Sequence, residues 1–352
     1  MNMRASKNKT VLLATFAVLA ILGLLYVFVY TLKRNVEPPP ESVSMVGPAE
    51  YFNPDANPVN AIIGVKVINV GNLDLTTGLY FMDFYLTIIC DRPCQPDIDI
   101  LNAFSAPEVE TQFTDEAGTI HAYRVRANLI TNVYLENFPF DEQTLTLAIG
   151  DKHATKDDLV FIADPTYSGW DYTHLHVLGW SIRNQIDVNT VEDAYPNNLG
   201  GLYSRFNFSI KVYKPWLSSF INNLFPVLII MLVGFLSFLF KPEAAGERLT
   251  LTSSTLVALI LFHINLNSGI PPLASLTYAD KFMIVNYLAV SVSIAVSAVL
   301  LVLRDNDDND SAQRLNRWTR WAVPMLWALF LLGMTLWQFN SEQITLWFQN
   351  QI

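Results

Sequence analysis

Four apolar spans close this chain of 352 residues, at about 216–240, 247–267, 278–303 and 319–339. Each is close to the roughly 20 residues that an α-helix needs to cross a bilayer. A hydrocarbon layer tolerates only backbone that satisfies its own hydrogen bonds, and uninterrupted rather than alternating hydrophobicity selects helices over barrel strands. Half of the residues are hydrophobic (51%) and only 15% are charged, the balance of a membrane protein. A fifth candidate span, Val11 to Thr31, follows Arg4, Lys7 and Lys9. Its apolar run exceeds the roughly 7–15 residues of a signal core and no small-x-small cleavage site follows. Residues 1–34 therefore read as a membrane anchor, with a cleaved signal as the alternative, and residues 35–214 are exported on either reading.

Basic residues orient the spans. With the N-terminus inside, the inner connections carry Lys241 and Arg248, then Arg304, Arg314 and Arg317, whereas the outer connection between the second and third terminal spans has only Lys281. Lys33 and Arg34 run against this bias. The expected setting is a multi-pass cell (inner) membrane protein, its exported region on the outer or periplasmic side and its C-terminus outside.

The exported region reads as all-β. Alternating or β-branched runs at Ala61–Val70, Tyr80–Ile89, Ala122–Leu129, Thr144–Ile149, Leu178–Ile182 and Tyr203–Val212 are separated by Asn, Asp, Gly and Pro clusters. That spacing favours a sandwich of antiparallel sheets. Residues 35–214 hold 24 Asp and Glu against 10 Lys and Arg, a net charge of −14 with His neutral. Such a surface disfavours nucleic acid and concentrates cations, although solubility alone accounts for most of these charges.

Within the second terminal span Glu247, Thr250, Ser254, Val257, Leu261 and Ile264 recur at steps of three or four, one stripe down a helix. A carboxylate, two hydroxyls and three aliphatics in that order suggest a pore lining. A buried bundle helix whose Thr and Ser bond back to the preceding turn is the alternative.

A set of short motifs then resembles one family in the order in which that family carries them. Phe138-Pro-Phe-Asp-Glu-Gln143 resembles the FPFD-x-Q signature of the pentameric ligand-gated ion channels, the Cys-loop receptor superfamily. Gly179-Trp180, Lys214-Pro-Trp216, Pro226, Gly246-Glu-Arg248 and Ile270-Pro-Pro272 agree, and the resemblance runs from about residue 60 to 340. Thr131 and Leu145 stand where animal members place the loop cysteines, so the chain is similar to the prokaryotic type lacking that disulfide. The only cysteines, Cys90 and Cys94, form a candidate local disulfide in an exported segment, with free thiols or a metal pair as alternatives.

The resemblance implies an extracellular or periplasmic β-sandwich sensing domain (35–214) followed by an all-α four-helix channel domain (215–352), assembled as a homopentamer. It implies a ring of Glu247 selecting cations, Thr250 and Ser254 helping to replace ion hydration, and a hydrophobic gate of Val257, Leu261 and Ile264. Coupling is implied at the first β-hairpin turn (72–77), at Phe138, Pro139, Phe140 and Asp141, at Lys214, and at Pro271, Pro272 and Tyr278. Tyr195 and Tyr203 resemble paired tyrosines of a ligand-capping loop. The position where amine-binding relatives carry Trp reads Asp151-Lys152-His153, which makes a full aromatic cage doubtful.

His263, within the pore helix and one step from the stripe, competes as a proton sensor, because an intramembrane ionisable group is a functional candidate by default. A neutral His bonded to a neighbouring helix is the plainer reading. His174 and His176 share a face if their segment is extended, but two ligands make no metal site. No nucleophile elbow, metal-ligand spacing or phosphate loop appears, so catalysis is not expected and no cofactor or metal is implied. The expected activity is a cation-selective channel gated by a small-molecule agonist or protons, passing Na+ and K+ with divalent ions as a further option. The rival is a membrane-anchored β-sandwich receptor or assembly protein that never conducts.

Overall fold

The computed structural model describes residues 56–349 apart from Asn72, 171–174, His176, 195–201 and Ala274, and of Gln185, 192–194 and 339–349 the backbone only. The N-terminal span, Asn72, Tyr195, His174 and His176 lie outside the described residues. The described residues divide into two compact units: one holds those up to Tyr134 and Phe140–Pro215, the other Leu135–Pro139 with 216 onward.

The first unit is a β-sandwich. Its strands are β1 (Val59–Val70), β2 (Leu79–Cys90), β3 (Ile98–Ile100), β4 (Glu108–Thr114), β5 (Ile120–Ile130), β6 (Glu142–Asp151), β7 (Leu159–Ala163), β8 (Gly169–Trp170), β9 (Ser181–Ala194) and β10 (Leu202–Tyr213). One sheet runs β4-β5-β2-β1-β7 with β8 also on β1, and the other runs β3-β6-β10-β9. Period-2 burial makes the core: Ala61, Ile63, Val65 and Val67 of β1 face Phe206, Phe208, Ile210 and Val212 of β10 across one cluster. The phase slips to Val70 where β1 bulges between Val67 and Asn69, since the extra residue turns the following side chains over.

Polar groups sew the two sheets together. Tyr80 of β2 donates to the Thr146 carbonyl of β6 at 2.6 Å, and burial pushes its phenol above the usual range. The Phe161 amide of β7 donates to Ser204 Oγ of β10 at 2.9 Å. Cys90 and Cys94 are joined in a disulfide. The last predicted strand before the final hairpin begins later than its hydrophobicity suggests: Val177–Trp180 is a turn with Gly179 at φ 79°, and β9 runs on from Ser181 to Ala194. β4 has no alternation to read, because it is an edge strand exposed along its whole length.

The 131–143 connection is closed without cysteines. Thr131 Oγ1 donates to the Thr144 carbonyl at 2.8 Å, one residue short of Leu145. Gln143, fully buried, brackets Tyr134: its Oε1 accepts from the Tyr134 amide at 3.0 Å and its Nε2 donates to the Tyr134 carbonyl at 2.5 Å. The β1–β2 turn abuts the same place. The carbonyl of Gly78, a residue at φ 71°, accepts from the Thr131 amide, and a Cβ there would lie 2.3 Å from the Thr131 oxygen. Asp74 shapes the turn by accepting from the Thr76 amide and the Thr77 hydroxyl, and these bonds hold its carboxyl below the ordinary carboxylate range. Gln143→Ala strands the Tyr134 amide and carbonyl and is expected to cost about 1–3 kcal/mol, read as a lowered melting temperature of the purified protein.

The second unit is helical: α1 (Trp216–Leu239), α2 (Ala245–Asn267), α3 (Tyr278–Asp305) and α4 (Asn309–Gln349), all four long and apolar enough to cross a membrane. α1 widens to a π turn at Phe220–Leu224 directly before Pro226. Proline has no amide proton and its ring crowds the carbonyl four residues back, so the wider turn relieves both faults. Gly234 brings α1 against α2, where a Cβ would meet Thr255 Cγ2 at 2.8 Å. α3 and α4 are tied by Asn286 Oδ1 accepting from Trp327 Nε1 at 3.0 Å and by Tyr278 Oη with Thr335 Oγ1 at 3.0 Å. The outer face of α4 is apolar, with Trp318, Trp321 and Trp337 exposed. Their spacing along the axis, about 24–29 Å at the helical rise, matches a hydrocarbon layer bounded by aromatic belts.

Candidate functional site

The stripe lies on the uncovered face of α2. Glu247, Thr250 and Ser254 are exposed, as are Val257 (56%), Leu261 (63%) and Ile264 (64%), while Arg248, Thr252, Thr255, Leu259 and Leu266 are buried on the opposite side. The hydroxyls bond back to the preceding turn, as the bundle-helix alternative expects, but they are not buried. Thr250 Oγ1 donates back to the Gly246 carbonyl at 3.1 Å and Ser254 Oγ to the Thr250 carbonyl at 2.9 Å, yet both residues remain on the open face. A hydroxyl whose proton is held by backbone offers the face its lone pairs only, which suits a cation. A groove of about 550 Å³ runs there, lined by Leu249, Thr250, Ser253, Ser254 and Val257.

The exposed faces of α2 and α4 differ in kind. That of α4 carries Met325, Leu326, Leu329 and Phe330 between its tryptophans. That of α2 carries Glu247, Thr250, Ser253, Ser254 and Asn265 around its aliphatics. Polar side chains facing lipid are costly, so the α4 face suits lipid better than the α2 face does. The N-terminal end of α2 presents about half a positive charge from its free amides, and Glu247 in the first turn reverses that sign.

A second constellation gathers on residues 277–281, the first turn of α3. Thr277 and Asp280 form a capping box, Thr277 Oγ1 accepting from the Asp280 amide at 3.0 Å and Asp280 Oδ2 accepting from the Thr277 amide at 3.0 Å. The next free amides, Tyr278 and Ala279, donate to the carbonyls of Glu136 and Phe138 at 2.9 and 3.0 Å. The Leu135–Pro139 segment thus caps α3, satisfying amides that a helix leaves open. Lys281, buried, donates to Gln338 Oε1 of α4 at 2.9 Å, and Gln338 Nε2 donates to Asn137 Oδ1 at 2.8 Å.

His263 joins this turn from α2. Its Nε2 lies 3.1 Å from Asp280 Oδ1 and 3.1 Å from Asn267 Nδ2, and its Nδ1 lies 3.0 Å from Tyr287 Oη. Tyr287 Oη is also 3.5 Å from the carbonyl of Leu259 in the middle of α2. With neutral His263, Nε2–H donates to Asp280 and the Tyr287 proton points to Nδ1. A second proton on the ring makes Tyr287 the acceptor and turns its own hydroxyl proton toward Leu259. No hydrogen bond is lost in the exchange.

Other candidate residues are placed as follows. Phe138 and Pro139 are in the helical unit, Phe140 and Asp141 in the sandwich. Lys214 Nζ stands 5.1 Å over the Trp180 ring; burial depresses its affinity for a proton and Asp141 partly restores it. Pro271 and Pro272 form an irregular connection after α2. The Asp151-Lys152-His153 turn is held by Asp97, which pairs with Lys152 Nζ at 2.8 Å and His153 Nε2 at 3.4 Å and raises the proton affinity of Lys152. Tyr203 is partly buried in β10, paired with Asp193. Among the described residues no group of three or more acidic, His or Cys side chains could hold a metal.

Sequence reading missed Asp280, Lys281, Gln338, Asn137 and Tyr287. The Thr277-x-x-Asp280 box was visible as a capping pattern, and Asp280 and Lys281 are charges at the edge of an apolar span. Nothing local marked Gln338 or Asn137.

Residues 223–334 match the model of the neurotransmitter-gated ion-channel transmembrane region. Over 232 residues the chain is 23% identical to a proton-gated ion channel of Gloeobacter violaceus, covering 66% of this chain and 63% of the relative. It is 30% identical over 172 residues to the neuronal acetylcholine receptor subunit beta-2 of Carassius auratus, covering 48% of this chain and 36% of the relative. A pH-sensitive chloride channel 2 of Anopheles gambiae is 22% identical over 167 residues, 46% of this chain and 27% of the relative. The chain spans less than two thirds of the length of each of these relatives.

Proposed function

We propose that this chain, which belongs to the pentameric ligand-gated ion channels of the Cys-loop receptor superfamily, is a homopentameric channel that passes cations along the Glu247–Ile264 face of α2. The family consists of multi-pass membrane channels and not of enzymes. Membership leaves the sign of the ion open, since one relative is a chloride channel. The observation that carries the cation reading is the exposed carboxylate of Glu247 at the head of a face whose hydroxyls keep only lone pairs outward.

In this reading Glu247, Thr250 and Ser254 choose the ion, and Val257, Leu261 and Ile264 form a constriction that closes by losing its water. The sandwich drives it through Leu135–Pro139, whose carbonyls cap α3, with Phe140, Asp141, Lys214, the β1–β2 turn, Pro271, Pro272 and Tyr278 in the coupling zone. The basic connections favour the sandwich on the outer side of a cell membrane, with 35–214 as the sensing domain.

The test is current through purified protein in planar bilayers under a tenfold KCl gradient, while the pH on the sandwich side is lowered and, separately, amines are added. A reversal potential near that of K+ is expected. One near that of Cl− removes the cation assignment, and silence under every condition favours the non-conducting receptor. Leu261→Ser is expected to leak without any stimulus, because a hydroxyl in the dry constriction holds water there; a variant as quiet as the parent would displace the gate from Leu261.

A further inference from the structure

The last turns of α2 and the first turn of α3 bring three polar groups to one point. His263 and Asn267, four residues apart, share a face of α2, and Asp280 meets them from α3. His263 Nε2 lies 3.1 Å from Asp280 Oδ1 and 3.1 Å from Asn267 Nδ2, and Nδ2 lies 3.4 Å from Oδ1. Neither tautomer of the neutral ring suits both neighbours. A proton on Nε2 faces the amide protons of Asn267, and a lone pair on Nε2 faces the carboxylate oxygen. Asn267 Oδ1 is buried and has no partner, so nothing holds the amide in this orientation. Turned through half a revolution, the amide presents Oδ1 to the same point. Ring lone pair, carboxylate oxygen and amide oxygen are then three acceptors around one centre.

Three acceptors so placed suit a metal ion. Ligands set tetrahedrally at about 2.0–2.1 Å from Zn2+ are about 3.3–3.4 Å apart, close to the 3.1, 3.1 and 3.4 Å found between these atoms. One His and one carboxylate make no metal site by themselves, and the amide oxygen supplies the third ligand. The surrounding bonds are of the kind that orient metal ligands. Tyr287 Oη, 3.0 Å from Nδ1, can accept the proton of that ring nitrogen and so leaves the Nε2 lone pair facing the centre. Asp280 Oδ2 is taken by the Thr277 amide and hydroxyl at 3.0 and 2.8 Å, which leaves Oδ1 for the ion. The C-terminal end of α2 carries about half a negative charge and favours a cation. The His263 and Asp280 side chains are 22% and 18% exposed, so the centre is open to a small ion. A ring nitrogen among the ligands favours a transition ion over Mg2+ or Ca2+, which take oxygen ligands.

We propose that His263, Asp280 and Asn267 bind one divalent transition-metal ion such as Zn2+, with water as the fourth ligand. The ion ties the end of α2, whose exposed face carries the stripe, to the start of α3. This site stands whether or not the chain conducts.

The test is competition for Zn2+ between purified full-length protein, first stripped of metal with a chelator, and a zinc-sensitive dye, with thermal denaturation alongside. One Zn2+ per chain is expected to bind, to raise the melting temperature by several degrees and to stay in place in a large excess of Mg2+. His263→Gln and Asp280→Asn each weaken binding by at least about tenfold. Asn267→Asp, which puts a second carboxylate where the amide stands, tightens it by about as much. A His174→Gln, His176→Gln variant, lacking the other close pair of histidines, binds as the parent does. Absence of Zn2+ binding, undiminished binding in both His263→Gln and Asp280→Asn, or loss of binding in the His174, His176 variant overturns the proposal. Should the His263 and Asp280 variants not fold, Asn267→Asp decides, and an affinity no higher than that of the parent overturns the site.

Discussion

Glu247→Gln is expected to lower the K+ to Cl− permeability ratio by at least about tenfold, a change of about 1.4 kcal/mol. A unit charge about 6 Å from an ion contributes roughly 0.7 kcal/mol even at the dielectric of water. A ring of such charges sums to more than the required amount before salt screening reduces it. The substitution also uncovers the positive end of α2, so the loss of a negative charge leaves a site that favours anions. Glu247 is exposed and lies off the packed face, which keeps the fold out of the comparison. The measurement is the reversal potential in a KCl gradient, and an unshifted value would remove Glu247 from the selectivity assignment.

His263→Gln is expected to remove the pH dependence of the current, because an imidazole can take up a second proton and an amide cannot. Glutamine can still hydrogen-bond to Asp280 but cannot become a cation. The charged and titratable groups facing His263 are Asp280 and Tyr287 of α3; Lys281, the next charge, is turned to Gln338. A ring carrying both protons would donate to Asp280 and to Tyr287, and Tyr287 would then turn to Leu259. Asp280→Asn removes the carboxylate that faces the ring and is expected to weaken the response of the current to acid. Tyr287→Phe removes the relay and moves the response in the same direction. A parent channel indifferent to pH would dismiss protons as the trigger while leaving the Glu247 result standing.

Some of the site was legible because its signals are local. The stripe needs only the helical period, and α2 places all six residues on one face. The strand runs needed only alternation and were found near their places, except where a feature of the backbone intervened: the bulge in β1, the positive-φ turn before β9, and the edge strand β4 with no buried face. The helix α4 starts ten residues before its apolar span, since Asn309–Arg317 is polar on the outside and packs only Ala312, Leu315 and Asn316 inward. The absent loop cysteines were visible in Thr131 and Leu145, whereas the bonds that replace them were not: Gln143 reaches Tyr134 nine residues away and nothing in either residue announces it.

The sequence by itself determined a β-sandwich joined to four membrane-crossing helices, one of them with a graded carboxylate, hydroxyl and aliphatic face. Those follow from hydrophobic period and span length, which depend on neighbours three or four residues apart. The tertiary structure decided what those helices hold on to: His263 with Asp280 and Tyr287, Lys281 with Gln338 and Asn137, and Arg248 with Asn316 but no anion. These partners are separated by 17 to 201 residues. Burial makes each such hydrogen bond matter, and only the packing of one helix against another brings the partners within reach.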